Sequence, residues 1–408
     1  MVGISTALHL QARGREVVLI DRRGAAEETS YGNAGLIQRE GIVPYTFPRD
    51  LRLLLDYALN RTSEANLHFS ALPVVLPWLF RYWRYSTPER VAASAHALRP
   101  LIERCIIEHD ALMTDARATA LARRTGYVRL FRDHAGLDGA IKEQAEHKAA
   151  YGISYDVWDP AALRRNEPHL TGSYVGAVHL PDPVSISDPG ALGKAYADLF
   201  KQRGGQFITG DARTLEAVPG GTPDIRWQVQ QVAGPVQARD VVVALGPWSA
   251  DLLRPLGQRL PLGVKRGYHM HYAAKGNATL NRPVIDSTYG FLLTPMTKGI
   301  RLTTGAEFAR SDAPSTPVQL DKCEPHAREA FPLAERVEDK PWLGRRPCFP
   351  DMLPMVGAVP GQAGLWVNTG HHHLGFTLGP VTGRLLAEMM TGQATLTDPF
   401  PYRVARFG

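Results

Sequence analysis

The chain of 408 residues has little cysteine: Cys105, Cys323 and Cys348 lie far apart, with no CxxC pair. An odd, scattered set argues against a disulfide framework or a structural zinc site, and no metal is expected. Such usage fits a reducing, cytoplasmic compartment. No run of about 18 apolar residues is present, so no bilayer-spanning segment is expected. The opening MVGISTALHLQARG lacks the basic region and long apolar stretch of a secretory leader. A GxSxG elbow and a GxxxxGKS/T loop are both missing, which removes the main hydrolase and NTPase motifs. Lys and Arg exceed Asp and Glu by 46 to 40, a formal charge of +6, but they form no basic arm. No nucleic-acid partner is expected from that balance.

What is present is an ordinary globular composition, 44% hydrophobic and 21% charged, with material for a large core. Ile4, Ala7, Leu8 and Ala12 recur at helical spacing, and Gly14 stands where a helix would end. Val17 to Ile20 is a short apolar run of the kind buried in parallel sheets, and it ends in Asp21. Gly3, helix, strand and acid reproduce the second half of a dinucleotide-binding βαβ unit, in which the acid accepts from a ribose. Its first strand and first two glycines are not in the sequence, so the expectation is a unit shortened at its N-terminus. A helix and strand with a chance acid is the plainer alternative.

Next come Glu28 to Ile37, rich in small and hydroxyl residues. The segment Thr29-Ser30-Tyr31-Gly32-Asn33-Ala34-Gly35-Leu36 resembles the Ser/Thr-Ser-x-x-Asn-Ala-Gly segment of the FAD-dependent D-amino-acid oxidase superfamily, and of its bacterial dehydrogenases most of all. Two later stretches extend the resemblance. Val241-Val242-Val243-Ala244-Leu245-Gly246-Pro247-Trp248 resembles a second flavin signature, with Leu245 in place of the commoner threonine or alanine. Gly344-Arg345-Arg346-Pro347 through Met355-Val356-Gly357, then Gly370-His371-His372-His373-Leu374-Gly375-Phe376-Thr377, resemble the family's closing motifs, with His372 where relatives have glycine.

The resemblance implies an α/β fold: a Rossmann-like FAD-binding domain carrying an inserted antiparallel-sheet substrate domain. Residues 1–75, 171–258 and 339–408 are expected in the first, 76–170 and 259–338 in the second. It implies non-covalent FAD held by Gly3, Asp21, Arg22, Arg23, Thr29, Ser30, Asn33, Ala34, Gly35, Leu36, Ala212, Ala244, Leu245, Gly246, Trp248, Gly370, His371, Leu374, Gly375 and Thr377. Arg346 falls on the arginine that binds a substrate carboxylate, a task suited to a planar guanidinium; Arg345 is its competitor. His372 and His373 are expected to line the roof of the active site, and Tyr268, His269 and Tyr289 its wall. Three adjacent imidazoles rarely share one ion, so no metal is assigned to them.

The implied reaction is oxidative deamination of a D-amino acid, with hydride passing from the α-carbon to flavin N5 and electrons going to a quinone-type acceptor. Sarcosine-, glycine- or proline-like amines and opines stay open as substrates. A nicotinamide-dependent dehydrogenase would share Gly3 and Asp21 but not the later motifs. A shortened remnant with impaired FAD binding is a further alternative.

Residues 46 to about 125 read as mostly helical, with Leu51, Leu54, Leu55 and Ala58 on one face. The aromatics and arginines of Leu76 to Tyr85 suit a membrane interface, and a peripheral contact at the inner face of the cytoplasmic membrane is expected there. Tyr127 to Phe131 alternates like a half-exposed strand. Asp188-Pro189 marks a helix start and Gly204-Gly205 its stop.

Overall fold

The N-terminal helix Val2–Gln11 packs along the C-terminal helix Gly375–Met390, and two glycines set how closely. A Cβ on Gly383 would stand 2.8 Å from the Thr6 nitrogen, and one on Gly379 would stand 2.8 Å from Met1 Cγ. The computed structural model describes residues 1–232 and 234–407.

Beside this helix pair lie two parallel half-sheets. The strand Val18–Asp21 pairs only with Gln206–Thr209, in the register Val18 to Gln206. The strand Val241–Val243 pairs in parallel with Leu365–Thr369, which continues antiparallel to Met355–Ala358. Val18 to Asp21, Val241 and Val242 are half-buried rather than buried as the sequence suggests. The reason is positional: both strands border one large cleft instead of a further strand. Gly3 touches both sides, since a Cβ there would lie 3.5 Å from Ala244 Cβ and 3.7 Å from a Leu19 methyl.

The helix Pro189–Gln202 begins and ends where its signals place it. Asp188 accepts from the Ala191 amide at 2.9 Å, a cap of about 1 kcal/mol, and Gly204 takes the left-handed turn that follows.

Eleven strands form the large, mainly antiparallel sheet. Its spine is Gly263–Ala274, a 12-residue strand paired with Gly299–Thr303 and with Trp342–Cys348. Two strands expected in the nucleotide-binding segments, Gly176–Leu180 and Trp342–Cys348, hydrogen-bond into this sheet. Tyr127–Phe131 is not half-exposed. It lies inside the sheet with both faces covered: Tyr127 and Phe131 join one core, Val128 and Leu130 another.

The helical region forms as Leu51–Ala58, Leu72–Tyr85 and Pro88–Asp115. Leu51–Ala58 buries none of its residues, and only Tyr82 is buried in Leu72–Tyr85. Leu51 is 81% exposed and Phe80 56%. No helix among the described residues is long and apolar enough to cross a membrane.

Candidate active site

The cleft between the half-sheets and the large sheet holds about 2400 Å³, above the ~300–1,000 Å³ of most small-molecule pockets. Gly3, Asp21, Arg22, Thr29, Ser30, Asn33, Ala34, Leu36, Ala212, Ala244, Leu245, Gly246, Trp248, His371 and Gly375 line it, with Tyr268, Arg346, His372 and His373. Residues far apart in sequence therefore meet in one place.

Three features of this cleft suit FAD. First, two helices point uncapped N-termini into it. Val2–Gln11 begins at Met1 and Gly375–Met390 at Leu374, neither with a side-chain cap. Free amides and the positive end of each dipole favour a diphosphate or a negatively charged ring edge. Second, Asp21 ends its strand at the cleft. One oxygen accepts from the Arg23 amide at 2.9 Å, while the other has no partner and can take ribose hydroxyls. Burial raises its pKa. Third, Gly246 turns with φ of +55°, and among the described residues, its chain neighbours aside, only a Pro347 carbon at 3.9 Å comes near its missing Cβ. Backbone is thus open to close approach there.

Other expected contacts have internal duties. Asn33 Oδ1 accepts from the Gly35 amide at 2.8 Å and the Leu36 amide at 3.3 Å, shaping its own loop. Thr29 donates to the Arg345 carbonyl at 3.1 Å, and Ser30 accepts from the Met1 amine at 3.2 Å. Thr377 donates to the Leu36 carbonyl and accepts from the Gln38 amide, joining helix to loop. Gly35, Gly370, Leu374 and Thr377 support the lining without belonging to it. Arg22 stacks over Trp248 at 4.1 Å, whereas exposed Arg23 pairs with Glu28 at 3.4 Å and is outside the cleft.

Arg346 is held by backbone. Its Nη1 donates to the Gly305 carbonyl at 3.0 Å and the Arg266 carbonyl at 3.4 Å, and Nη2 donates to Thr304 at 3.4 Å. Of five N–H groups, Nε–H and one on Nη2 have no partner among the described residues, and two such donors on one guanidinium are the kind that can take a carboxylate. Arg345 also borders the cleft, but its Nε is engaged, donating to the Ser311 carbonyl at 2.9 Å.

The three histidines form a neutral wall. Burial pushes His371 and His373 down to about 3, and His372 well below the ordinary range. His371 Nε2 meets Thr382 Oγ1 at 3.0 Å, His373 lies against Tyr45 with centroids 4.7 Å apart, and buried His372 Nε2 has no partner. His372 also takes φ of +54°, a geometry natural to the glycine of the motif it departs from.

The expected wall fares less well. Tyr289 stacks on His326 at 3.5 Å, away from the cleft. Tyr268 is buried with its hydroxyl against Glu307 at 3.0 Å, donating there and accepting from the Thr316 amide. His269 stacks on Trp342 at 4.9 Å and leaves Nδ1 unpartnered, but it does not reach the lining. Sequence reasoning missed Tyr45, Tyr82 and Lys265, all of which line the cleft. The signal for Lys265 was its strand register opposite Arg346, which sequence does not supply.

A family model described as "FAD dependent oxidoreductase" matches residues 1–389. A D-amino acid dehydrogenase of Xylella fastidiosa (strain M23) is 31% identical over 397 residues, covering 96% of this chain and 90% of the relative. A D-amino-acid oxidase of Bradyrhizobium diazoefficiens is 27% identical over 417 residues, covering 100% and 96%. Among solved structures, glycine oxidase from Geobacillus kaustophilus superposes with a TM-score of 0.70 at 20% identity, covering 99% and 96%; it shares the fold. On the strength of the matched length and of a cleft built for the dinucleotide, this chain belongs to the FAD dependent oxidoreductase family, and its cofactor is FAD.

Proposed function

We propose that this chain oxidises a small amino acid, a D-amino acid first, to the imino acid that water converts to a keto acid. The observation that carries this reading is Arg346, which offers two free N–H groups inside the cleft that suits FAD. Similarity to a D-amino acid dehydrogenase and a D-amino-acid oxidase supports the substrate class. Bound FAD supplies the two-electron oxidant.

The protein's own part is placement and electrostatics. Arg346 fixes the carboxylate, which orients the adjacent carbon and its amine. His371 and His373, pushed down to about 3, stay neutral at pH 7 and add no charge to oppose a substrate amine. Amines of sarcosine, glycine, proline and opine type share the carboxylate that Arg346 would hold, and they remain within this reading.

For the acceptor we infer a quinone delivered from an anionic bilayer. Exposed Leu51, Leu55, Val74, Leu76, Phe80 and Trp83 stand beside exposed Arg49, Arg52, Arg81 and Arg84, a mix that suits a lipid headgroup layer. Leu54, Leu72, Leu76 and Leu79 of the same helices also line the cleft, so an apolar acceptor would have a path.

The test is an amine screen on FAD-loaded protein, first with an artificial dye and then with oxygen. Turnover of D-amino acids with the dye and little with oxygen is expected. Flavin that no amino acid reduces would refute the proposal.

A further inference from the structure

Lys265 is the cross-strand partner of Arg346, so both side chains leave the same face of the sheet and both line the cleft. They then diverge. Arg346 leans along the strands toward Gly267 and Gly305. Lys265 leans toward the helix Leu72–Tyr85, where its Nζ lies 4.1 Å from the Tyr82 ring centre and 5.6 Å from that of Trp78.

Two aromatic faces are all that Lys265 has. Among the described residues its Nζ makes no hydrogen bond, and none of the salt bridges includes Lys265 or Arg346. A half-buried ammonium is costly without an anion, and a second cation across the strand adds repulsion. Burial and then the Arg346 charge accordingly pull Lys265 down to about 8. A pair of unneutralised cations that diverge within one cleft suits a ligand bearing two separated anionic groups. One carboxylate cannot reach both ends of such a fork as well as two can.

We propose that Lys265 binds a second carboxylate on the substrate, which makes the preferred substrates amino dicarboxylates. This rests on the reading of Arg346 as the anchor of the first carboxylate. A ligand of this kind would neutralise both cations, whereas a monocarboxylate leaves Lys265 unpaired. The aromatic bed of Trp78 and Tyr82 limits the lysine's rotamers, so less freedom is lost on binding.

Binding without turnover tests it. Succinate and butyrate are titrated calorimetrically into the FAD-loaded protein, then into Lys265→Met and Lys265→Arg. Succinate should bind about tenfold tighter than butyrate to the unaltered protein. Lys265→Met should abolish that preference and Lys265→Arg should keep most of it. Equal affinities in the unaltered protein, a comparison that needs no variant, would overturn the proposal. So would a preference that survives Lys265→Met. Succinate preference without amino-acid oxidation would sustain the anion site and defeat the proposed reaction. Oxidation of neutral D-amino acids with no such preference would do the reverse.

Discussion

Gly267 makes room for Arg346: a Cβ at position 267 would stand 2.6 Å from Nη1 and 2.7 Å from Nη2. The guanidinium thus crosses the neighbouring strand at a spot that only a glycine leaves open. Gly267→Ala should displace the fork while leaving the FAD cleft intact. KM for an amino acid is expected to rise about tenfold or more, with kcat changed less. Arg346→Lys should act the same way, because an ammonium cannot give two parallel hydrogen bonds. Steady-state kinetics on both variants check this, with flavin content as the control. Unchanged KM in Arg346→Lys would remove the residue from the site.

How much of this was legible in the sequence depends on which interactions are local. The cap at Asp188, the stop at Gly204 and the acid closing Val18–Asp21 follow from a few neighbouring residues, and each stands where its pattern places it. The 12-residue strand Gly263–Ala274 was not readable as one element, nor were the roles of its residues. Tyr268, Met270 and Tyr272 are buried, and Tyr268, though it borders the cleft, commits its hydroxyl to Glu307, while Lys265 and Gly267 also line the cleft. An aromatic looked more like a pocket wall than a lysine did. Only the pairing with Trp342–Cys348 reveals that Lys265 faces the cleft beside Arg346. Tyr127–Phe131 misled for a related reason: alternation was present, but a second core covers the face that seemed free.

FAD should stabilise the fold markedly, because its cleft separates two half-sheets whose inner strands each have one partner. Ligand at 100 times its Kd adds about 2.7 kcal/mol, so a rise in Tm of several degrees is expected by calorimetry. Gly246→Val should weaken this response, since φ of +55° is strained for a β-branched residue and its side chain would enter the open space. A cofactor-independent Tm would count against FAD being held in this cleft.

Stability should peak near neutral pH, and the position of the peak should respond to Glu40. Burial holds His9 and His109 down to about 4, and His371 and His373 to about 3, so these groups are neutral in the folded chain. Below the unfolded value of about 6.5 the unfolded chain binds more protons, and stability falls with pH through 4 and 3. Glu40 and Glu167 run the other way. Burial raises both to about 7, so their contribution is complete below the unfolded carboxylate range and is lost as pH rises through 7. Glu40→Gln should therefore gain stability at pH 8 relative to its effect at pH 5. Thermal melts across pH 5 to 8 at constant excess FAD decide it; an identical shift at both ends would show that Glu40 does not titrate in this window.

The exposed helices give the last expectation. Leu51 and Leu55 project on one face of a helix that buries nothing, with Arg52 beside them. An amphipathic surface of that kind gains from inserting apolar side chains while its arginines meet anionic headgroups, at about 1 kcal/mol per basic residue near the surface. The protein should co-sediment with vesicles rich in phosphatidylglycerol and stay in solution with phosphatidylcholine alone. Leu51→Glu with Leu55→Glu should abolish that binding and leave dye-linked turnover intact, because neither residue lines the cleft. Loss of self-association in the variant, without any vesicle binding in the parent, would assign the same face to a second copy of the chain instead.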